Sequence, residues 1–159
     1  MERIIIAAAA ENQVIGKDGD IPWHIPEDLQ HFKEKTTEHT VVMGRKTFQS
    51  LPNSFKPLPN RQNIVLTKSD FQPEQESVKI ANSLDEAWQK SENEKTFIIG
   101  GAGVYKQCLE KADKMILTKI QKKYEGDTYF PEWKQENWKE IEREDKEKIS
   151  FVEYTRKTQ

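Results

Sequence analysis

Apolar residues in this chain gather into short runs. Residues 3–10 (RIIIAAAA), 40–44 (TVVMG), 63–67 (NIVLT), 96–101 (TFIIGG) and 115–120 (MILTKI) are mostly β-branched or aliphatic. Each is bounded by polar residues, glycine or proline. Continuous apolar runs without alternation suit strands buried on both faces. The segments between them carry helical spacing. Residues 27–36 place Leu29, Phe32 and Lys33 at i, i+3 and i+4, behind Pro26 at a helix start. Ser83, three residues before Glu86, predicts a capping box leading into Ala87 and Trp88. Residues 102–111 space Val104, Tyr105, Cys108 and Leu109 for a helix face. The last third differs: 138–144 (WKEIERE) and 149–155 (ISFVEYT) alternate like half-exposed strands about the charged stretch 144–148. The pattern predicts an α/β fold: an open, mainly parallel sheet of roughly eight strands, helices on both faces, and a C-terminal antiparallel hairpin at its edge. No repeat, low-complexity tract or linker divides the chain, so one domain over residues 1–159 is expected.

Composition sharpens this picture. Hydrophobic residues are 35%, charged residues 33%, and mean hydropathy is −0.89. A net charge of −2 with four Trp, four Tyr and seven Phe argues against disorder. No run approaches the roughly 20 apolar residues of a membrane span. The N-terminus lacks the pattern of a secretory signal, so a cytoplasmic protein without membrane contact is expected. The single cysteine, Cys108, forbids an internal disulfide, and with three scattered histidines no metal site is expected. Near-neutral charge gives no drive toward nucleic acid. His24, His31 and His39 have no carboxylate or serine partner at suggestive spacing and receive no catalytic role.

Three segments depart from ordinary punctuation between strands and helices. In 40–47 (TVVMGRKT) a buried strand ends at Gly44, and Arg45, Lys46 and Thr47 open a helix. Free N–H groups and two cations suit an anion there, although a solvated basic pair is the plain alternative. In 98–105 (IIGGAGVY) a strand again runs into glycines. Lys106 stands where a dinucleotide fingerprint needs its third glycine, and no acidic partner follows at roughly 20 residues, so neither a standard Rossmann turn nor a P-loop is supported. What remains is a strand end that lets a ligand approach backbone closely. Residues 14–29 (VIGKDGDIPWHIPEDL) form a long connection of the kind used as lids. At its end Asp28 shares a helix face with Phe32, and a carboxylate there needs a partner or a raised pKa. An amidine-like ligand edge would supply two parallel N–H donors.

Taken in order, these motifs resemble the bacterial-type dihydrofolate reductases. The resemblance covers essentially the whole chain. It rests on VIG…IPW at 14–23, PEDL at 26–29, VMGRKT at 42–47, PLPNR at 57–61, NIVLT at 63–67, IIGGAGVY at 98–105, LT at 117–118 and EGDTYFP at 125–131. It implies reduction of 7,8-dihydrofolate to tetrahydrofolate by hydride transfer from NADPH, with antifolates as further ligands and a monomeric enzyme. By resemblance, Asp28, Thr118 and Trp23 serve catalysis. Ile6, Ala7, Ala8, Leu29, Phe32, Leu58, Ile99 and Tyr105 line the pterin and benzoyl site, and Arg61 pairs with the glutamate tail. Gly44, Arg45, Lys46, Thr47, Leu66, Thr67 and Lys68 hold the phosphates and adenosine end of NADPH. Gly100, Gly101, Ala102, Gly103, Val104 and Tyr105 hold the pyrophosphate and nicotinamide side, with a cis bond between Gly100 and Gly101. Val14, Ile15, Gly16, Asp20 and Ile21 belong to a mobile lid, partnered by Gly126 and Asp127. Three departures stand out: Ile21 where methionine is common, extra residues 52–56 before Pro57, and Gly103 where some relatives carry a base. The last puts the preference for NADPH on Arg45 and Lys68. Other readings are a related reductase of another pterin or of a pyrimidine, and a nucleotide- or nucleic-acid-binding module. Asp28 with Arg61 favours folate because the pair reads both of its ends.

Overall fold

The structure, a computed structural model, describes residues 1–157, so positions 158 and 159 of the expected domain lie outside the described residues. Strand β1 (Glu2–Ala10) takes up the first apolar run. There follow β2 (Val14–Gly16), α1 (Pro26–Thr36), β3 (Thr40–Gly44), α2 (Arg45–Ser50) and β4 (Gln62–Leu66). The alternation continues with β5 (Lys79–Ala81), α3 (Leu84–Lys90), β6 (Lys95–Ile98), α4 (Ala102–Cys108) and β7 (Lys114–Ile120). Last come β8 (Thr128–Tyr129), β9 (Trp138–Asp145) and β10 (Ile149–Arg156). The main sheet has eight strands in the order β5-β4-β3-β6-β1-β7-β10-β9. Pairs from β5 to β7 are parallel, and β10 runs antiparallel to both β7 and β9. This is the mixed sheet with a C-terminal antiparallel pair that the sequence pattern predicts.

Side chains leave a strand alternately to its two faces, and both faces are covered. One collects Ile5, Val42, Ile64, Ile98, Met115 and Leu117 under Ala87 and Trp88 of α3 and Val104 and Cys108 of α4. The other collects Ile4, Ile6, Val41, Met43, Phe97 and Ile116 under Phe32 of α1, Phe48 of α2, and Leu58. Burying each such side chain stabilises by roughly 1.5–3 kcal/mol. This double cover explains why the parallel strands read as unbroken apolar runs. Burial also pushes the Cys108 thiol up to about 12, so it acts as a packing group.

Four expectations change. β2 and β8 pair in a small separate sheet, where a plain lid loop was expected. Their three and two residues are too short to carry a periodic signal. α4 stops at Cys108 rather than Lys111, where the Lys111 N–H donates only three residues back to the Cys108 carbonyl and the chain tightens into a turn. Asp145 belongs to β9, not to the hairpin turn. β9 does not alternate: only Trp138 is buried along this sheet edge. Its register slips opposite Glu153 and Tyr154, leaving Ile141 as a bulged residue in solvent.

Candidate active site

The carboxyl ends of β1, β3, β6 and β7 meet beside the start of α1, in the crevice where open α/β sheets bind ligands. Helix α1 begins at Pro26, with its fixed φ at the first helical position, and no side chain caps it. That start delivers Asp28 to the sheet. The Thr118 hydroxyl on β7 donates to Asp28 Oδ1 at 2.6 Å across 90 residues of sequence. Thr118 is itself buried. Burial raises the Asp28 pKa above its ordinary value, and the Thr118 hydrogen bond and the nearby His31 only partly offset this. Asp28 is therefore a carboxyl poised to exchange a proton at the rim of an apolar surface.

The floor around it is apolar. Ile6 and Ala7 are buried, Ala8 and Ile99 are half-buried, and Phe32 and Ile99 pack against the core cluster that contains Ile6. Leu29 is 52% exposed at the mouth. The Tyr105 hydroxyl donates to the Ile6 carbonyl at 2.9 Å, and burial keeps this phenol protonated. Trp23 lies half-exposed against Tyr124, with ring centroids 5.2 Å apart.

At one end stands Arg61. Its Nη1 donates to Thr36 Oγ1 at 3.0 Å, its Nε donates to the Pro59 carbonyl at 2.9 Å, and its guanidinium lies 5.9 Å from the Phe32 ring. Asn63, missed in the sequence, exchanges two 3.0 Å hydrogen bonds with the Leu58 backbone and also donates to the Arg61 carbonyl. It is 2% exposed and fixes the loop that carries both residues. Thr36 was missed too. Its hydroxyl donates to the Phe32 carbonyl at 2.8 Å, which orients it to accept from Arg61. No local pattern marks either residue: Thr36 sits in a polar run and Asn63 at the polar edge of a strand.

At the other end the two glycine turns touch. The Gly44 N–H donates to the Gly100 carbonyl at 2.9 Å, and the Gly100-Gly101 bond is cis. Gly100 has φ +122, which side-chain-bearing residues rarely adopt. Arg45, Lys46 and Thr47 form the first turn of α2, where no acidic residue stands; Ala102, Gly103 and Val104 form that of α4. A cavity of about 460 Å³ continues from here and is lined by Leu66, Thr67, Lys68 and Val104, among others. A wider cleft of about 730 Å³ between Lys119, Phe130 and Trp133 includes only Thr118 of the predicted site residues.

The segment expected to form the lid packs on residues 126–129. Val14 is buried and Gly16 pairs with Thr128. The Asp18 N–H donates to Asp127 Oδ2 at 2.9 Å, and the Asp127 N–H donates to the Gly16 carbonyl at 3.1 Å. Lys17 and Asp20 exchange backbone hydrogen bonds, and the Ile21 N–H donates to Asp20 Oδ1 at 2.8 Å. Ile21 is 55% exposed. Gly126 is required by space: a Cβ there would sit 2.4 Å from Val14 Cγ1 and 2.6 Å from the Gly16 carbonyl.

Among the described residues His31 makes no ion pair with a carboxylate; burial lowers its pKa, and Asp28 is the largest of the charges acting on its imidazole.

Comparison with known proteins gives a consistent result. A family model described as dihydrofolate reductase matches residues 3–158. The dihydrofolate reductase HdrB of Haloferax volcanii is 45% identical over 97% of this chain and 83% of its own length. The dihydrofolate reductase of Bacillus subtilis is 42% identical over 87% of this chain and 81% of its own. Among solved structures, the dihydrofolate reductase from Enterococcus faecalis complexed with NADP(H) and RAB-propyl superposes with a TM-score of 0.88. It is 36% identical and covers 99% of this chain and 97% of its own.

Proposed function

The chain belongs to the dihydrofolate reductase family, and from that premise we propose how its residues divide the NADPH-dependent reduction of 7,8-dihydrofolate to 5,6,7,8-tetrahydrofolate. The observation that carries the reading is the Asp28–Thr118 pair, a carboxyl with a raised pKa in an apolar wall beside the strand ends. A carboxylate accepts two parallel N–H bonds, so Asp28 binds and orients the amidine edge of the pterin. Thr118 holds the carboxyl in place. Asp28 also favours protonation at N5 of the pterin, through water rather than by contact, because a group with a pKa nearer the working pH exchanges protons more effectively.

The chain suits the cofactor on structural grounds. A Cβ at Gly44 would lie 3.3 Å from Val104 Cγ2, and one at Gly101 would lie 3.5 Å from Thr47 Oγ1, so glycine keeps the cradle open. The first-turn N–H groups of α2 and α4, with Arg45, Lys46 and Thr47, form a donor set for phosphates. Leu66, Thr67 and Lys68 would hold the adenosine end. Ala8, Ile99 and Tyr105 would face the nicotinamide, while Val14, Ile15, Gly16, Asp20 and Ile21 would close over it and exclude water. When bound, NADPH supplies the hydride that reaches C6. Ile6, Ala7, Leu29, Phe32 and Leu58 orient the flat substrate, Trp23 borders the reacting end, and Arg61 offers its planar guanidinium to the tail carboxylate.

The reading carries with it a monomeric, cytoplasmic enzyme formed as one domain, with antifolates competing for the substrate site. That its ligands are small molecules is supported by the Enterococcus dihydrofolate reductase, which is complexed with NADP(H) and RAB-propyl. Among the described residues no helix is long and apolar enough to cross a membrane. The test is the fall in NADPH absorbance on adding dihydrofolate, repeated with NADH. Arg61→Ala should weaken dihydrofolate about 10- to 100-fold, the size of a lost charge-assisted hydrogen bond. It should leave a pterin without the tail unaffected; equal losses for both would overturn the Arg61 role.

A further inference from the structure

We propose that His31 is a positioning residue for the Asp28 carboxyl, acting through the charge of an imidazole that Phe151 holds one helical turn away. The proposal rests on Asp28 being the proton-handling group of the site.

Four residues on three elements close a ring. Asp28 and His31 are i and i+3 on α1, so they share a face, about 5–6 Å apart at Cβ. The Thr118 hydroxyl on β7 donates to Asp28 at 2.6 Å. Phe151 on β10 stands opposite Thr118 in the β7–β10 register. The His31 ring stacks on Phe151 with centroids 4.0 Å apart and planes within 18°. The same strand pair that places the Asp28 partner therefore places the platform for His31. An imidazole stacked this way has little freedom to swing into solvent, so its charge stays beside the carboxyl.

Of the other charges near the ring, Lys35 of α1 and Glu153 of β10 pair with each other at 2.8 Å, and Glu34 of α1 acts more weakly than Asp28. Glu27 pairs with Lys146 of the hairpin turn at 2.9 Å. From α4 the Tyr105 phenol faces Asp28, but burial keeps it neutral. Asp28 is left as the dominant charge on His31.

The sign follows from these contacts. Burial lowers the His31 pKa and the charge of Asp28 raises it; a protonated His31 in turn lowers the pKa of Asp28. The effect is reciprocal, as any coupling between two sites must be. As pH falls, His31 takes up a proton and thereby keeps Asp28 ionised to lower pH than it would otherwise stay. The residue is a brake on the acid-side loss of the carboxylate.

The experiment has two arms. In the first, kcat/KM for dihydrofolate is followed against pH in wild type, His31→Gln and His31→Lys. The acid-side midpoint should rise in the neutral variant and fall in the permanently cationic one, by about half a unit or more, as one charge at this range produces. A merely structural role would move both variants the same way or neither, and either result overturns the proposal. In the second, the His31 ring is titrated by NMR in wild type and Asp28→Asn. Its midpoint should fall when the carboxylate is removed, and an unchanged midpoint overturns the proposal. The second arm needs no substrate, so absent turnover with dihydrofolate, which would overturn the functional reading, is told apart from absent coupling.

Discussion

The floor and the lid of this site are built by opposite rules. The floor is made of strand ends buried on both faces: Ile5, Val42 and Ile98 are fully inaccessible. The polar pair set into that floor joins residues 28 and 118 with a buried hydroxyl. Beyond the buried Val14, the proposed lid is held by backbone and side-chain hydrogen bonds in solvent. Asp18, Asp20 and Asp127 are all exposed, and Asp18 and Gly19 both have positive φ. Exposed hydrogen bonds contribute little net free energy, on the order of 1 kcal/mol each, whereas the floor gains that from about one buried methylene. The difference separates two tasks. The floor keeps a carboxyl with a raised pKa in fixed geometry, and the proposed lid, held by exposed contacts, is suited to opening at small cost.

This contrast can be broken at several points. The largest effect is expected at the floor's polar pair: Asp28→Asn should lower turnover at neutral pH by about 10²–10⁴-fold, the usual contribution of a positioned proton-transfer group. It should still bind NADPH, measured by fluorescence titration. Next is the floor's packing. Ile98→Ala should cost about 2–5 kcal/mol of global stability in a denaturant titration. Smaller is the lid: Gly126→Ala should cost about 1–3 kcal/mol of strain, since its Cβ has no room against Val14 and Gly16. Hydrogen exchange should then quicken at the Asp18 and Asp127 amides while the Ile5 and Ile98 amides keep their protection. Protection lost equally in both would show that floor and lid are one cooperative unit. Smallest is a change in stability with the opposite sign. Because burial raises the folded-state pKa of Asp28, its ionised form disfavours folding once pH rises above the ordinary carboxylate value. Asp28→Asn should therefore be slightly more stable than wild type at pH 7, with the gain fading in acid. A loss of stability at pH 7 would mean that the charge is not under desolvation stress.

The floor was legible in the sequence and the lid only in part, for physical reasons. Residues 3–10 and 40–44 announce buried strands because parallel strands covered twice need no polar alternation. Gly44 and Gly100 announce their turns because backbone meets backbone there at 2.9 Å. The pairing of β2 with β8 was not legible, since it depends on two segments more than 100 residues apart and too short to show a period. His31, Thr36 and Asn63 were missed for a related reason. Each is unremarkable in its own segment, and its meaning comes from a partner supplied by tertiary register: Phe151 for His31, Arg61 for Thr36, and the Leu58 backbone for Asn63.

The central claim is that a half-buried carboxyl at position 28 supplies the proton chemistry of dihydrofolate reduction. It is tested most directly by NADPH oxidation with dihydrofolate from pH 5 to pH 9 in wild type and Asp28→Asn. The predicted result is a variant far below wild type at pH 7 that recovers steadily as pH falls, because solvent protons then replace the missing carboxyl. Near wild-type turnover of Asp28→Asn at pH 7, with an unaltered pH profile, would contradict it.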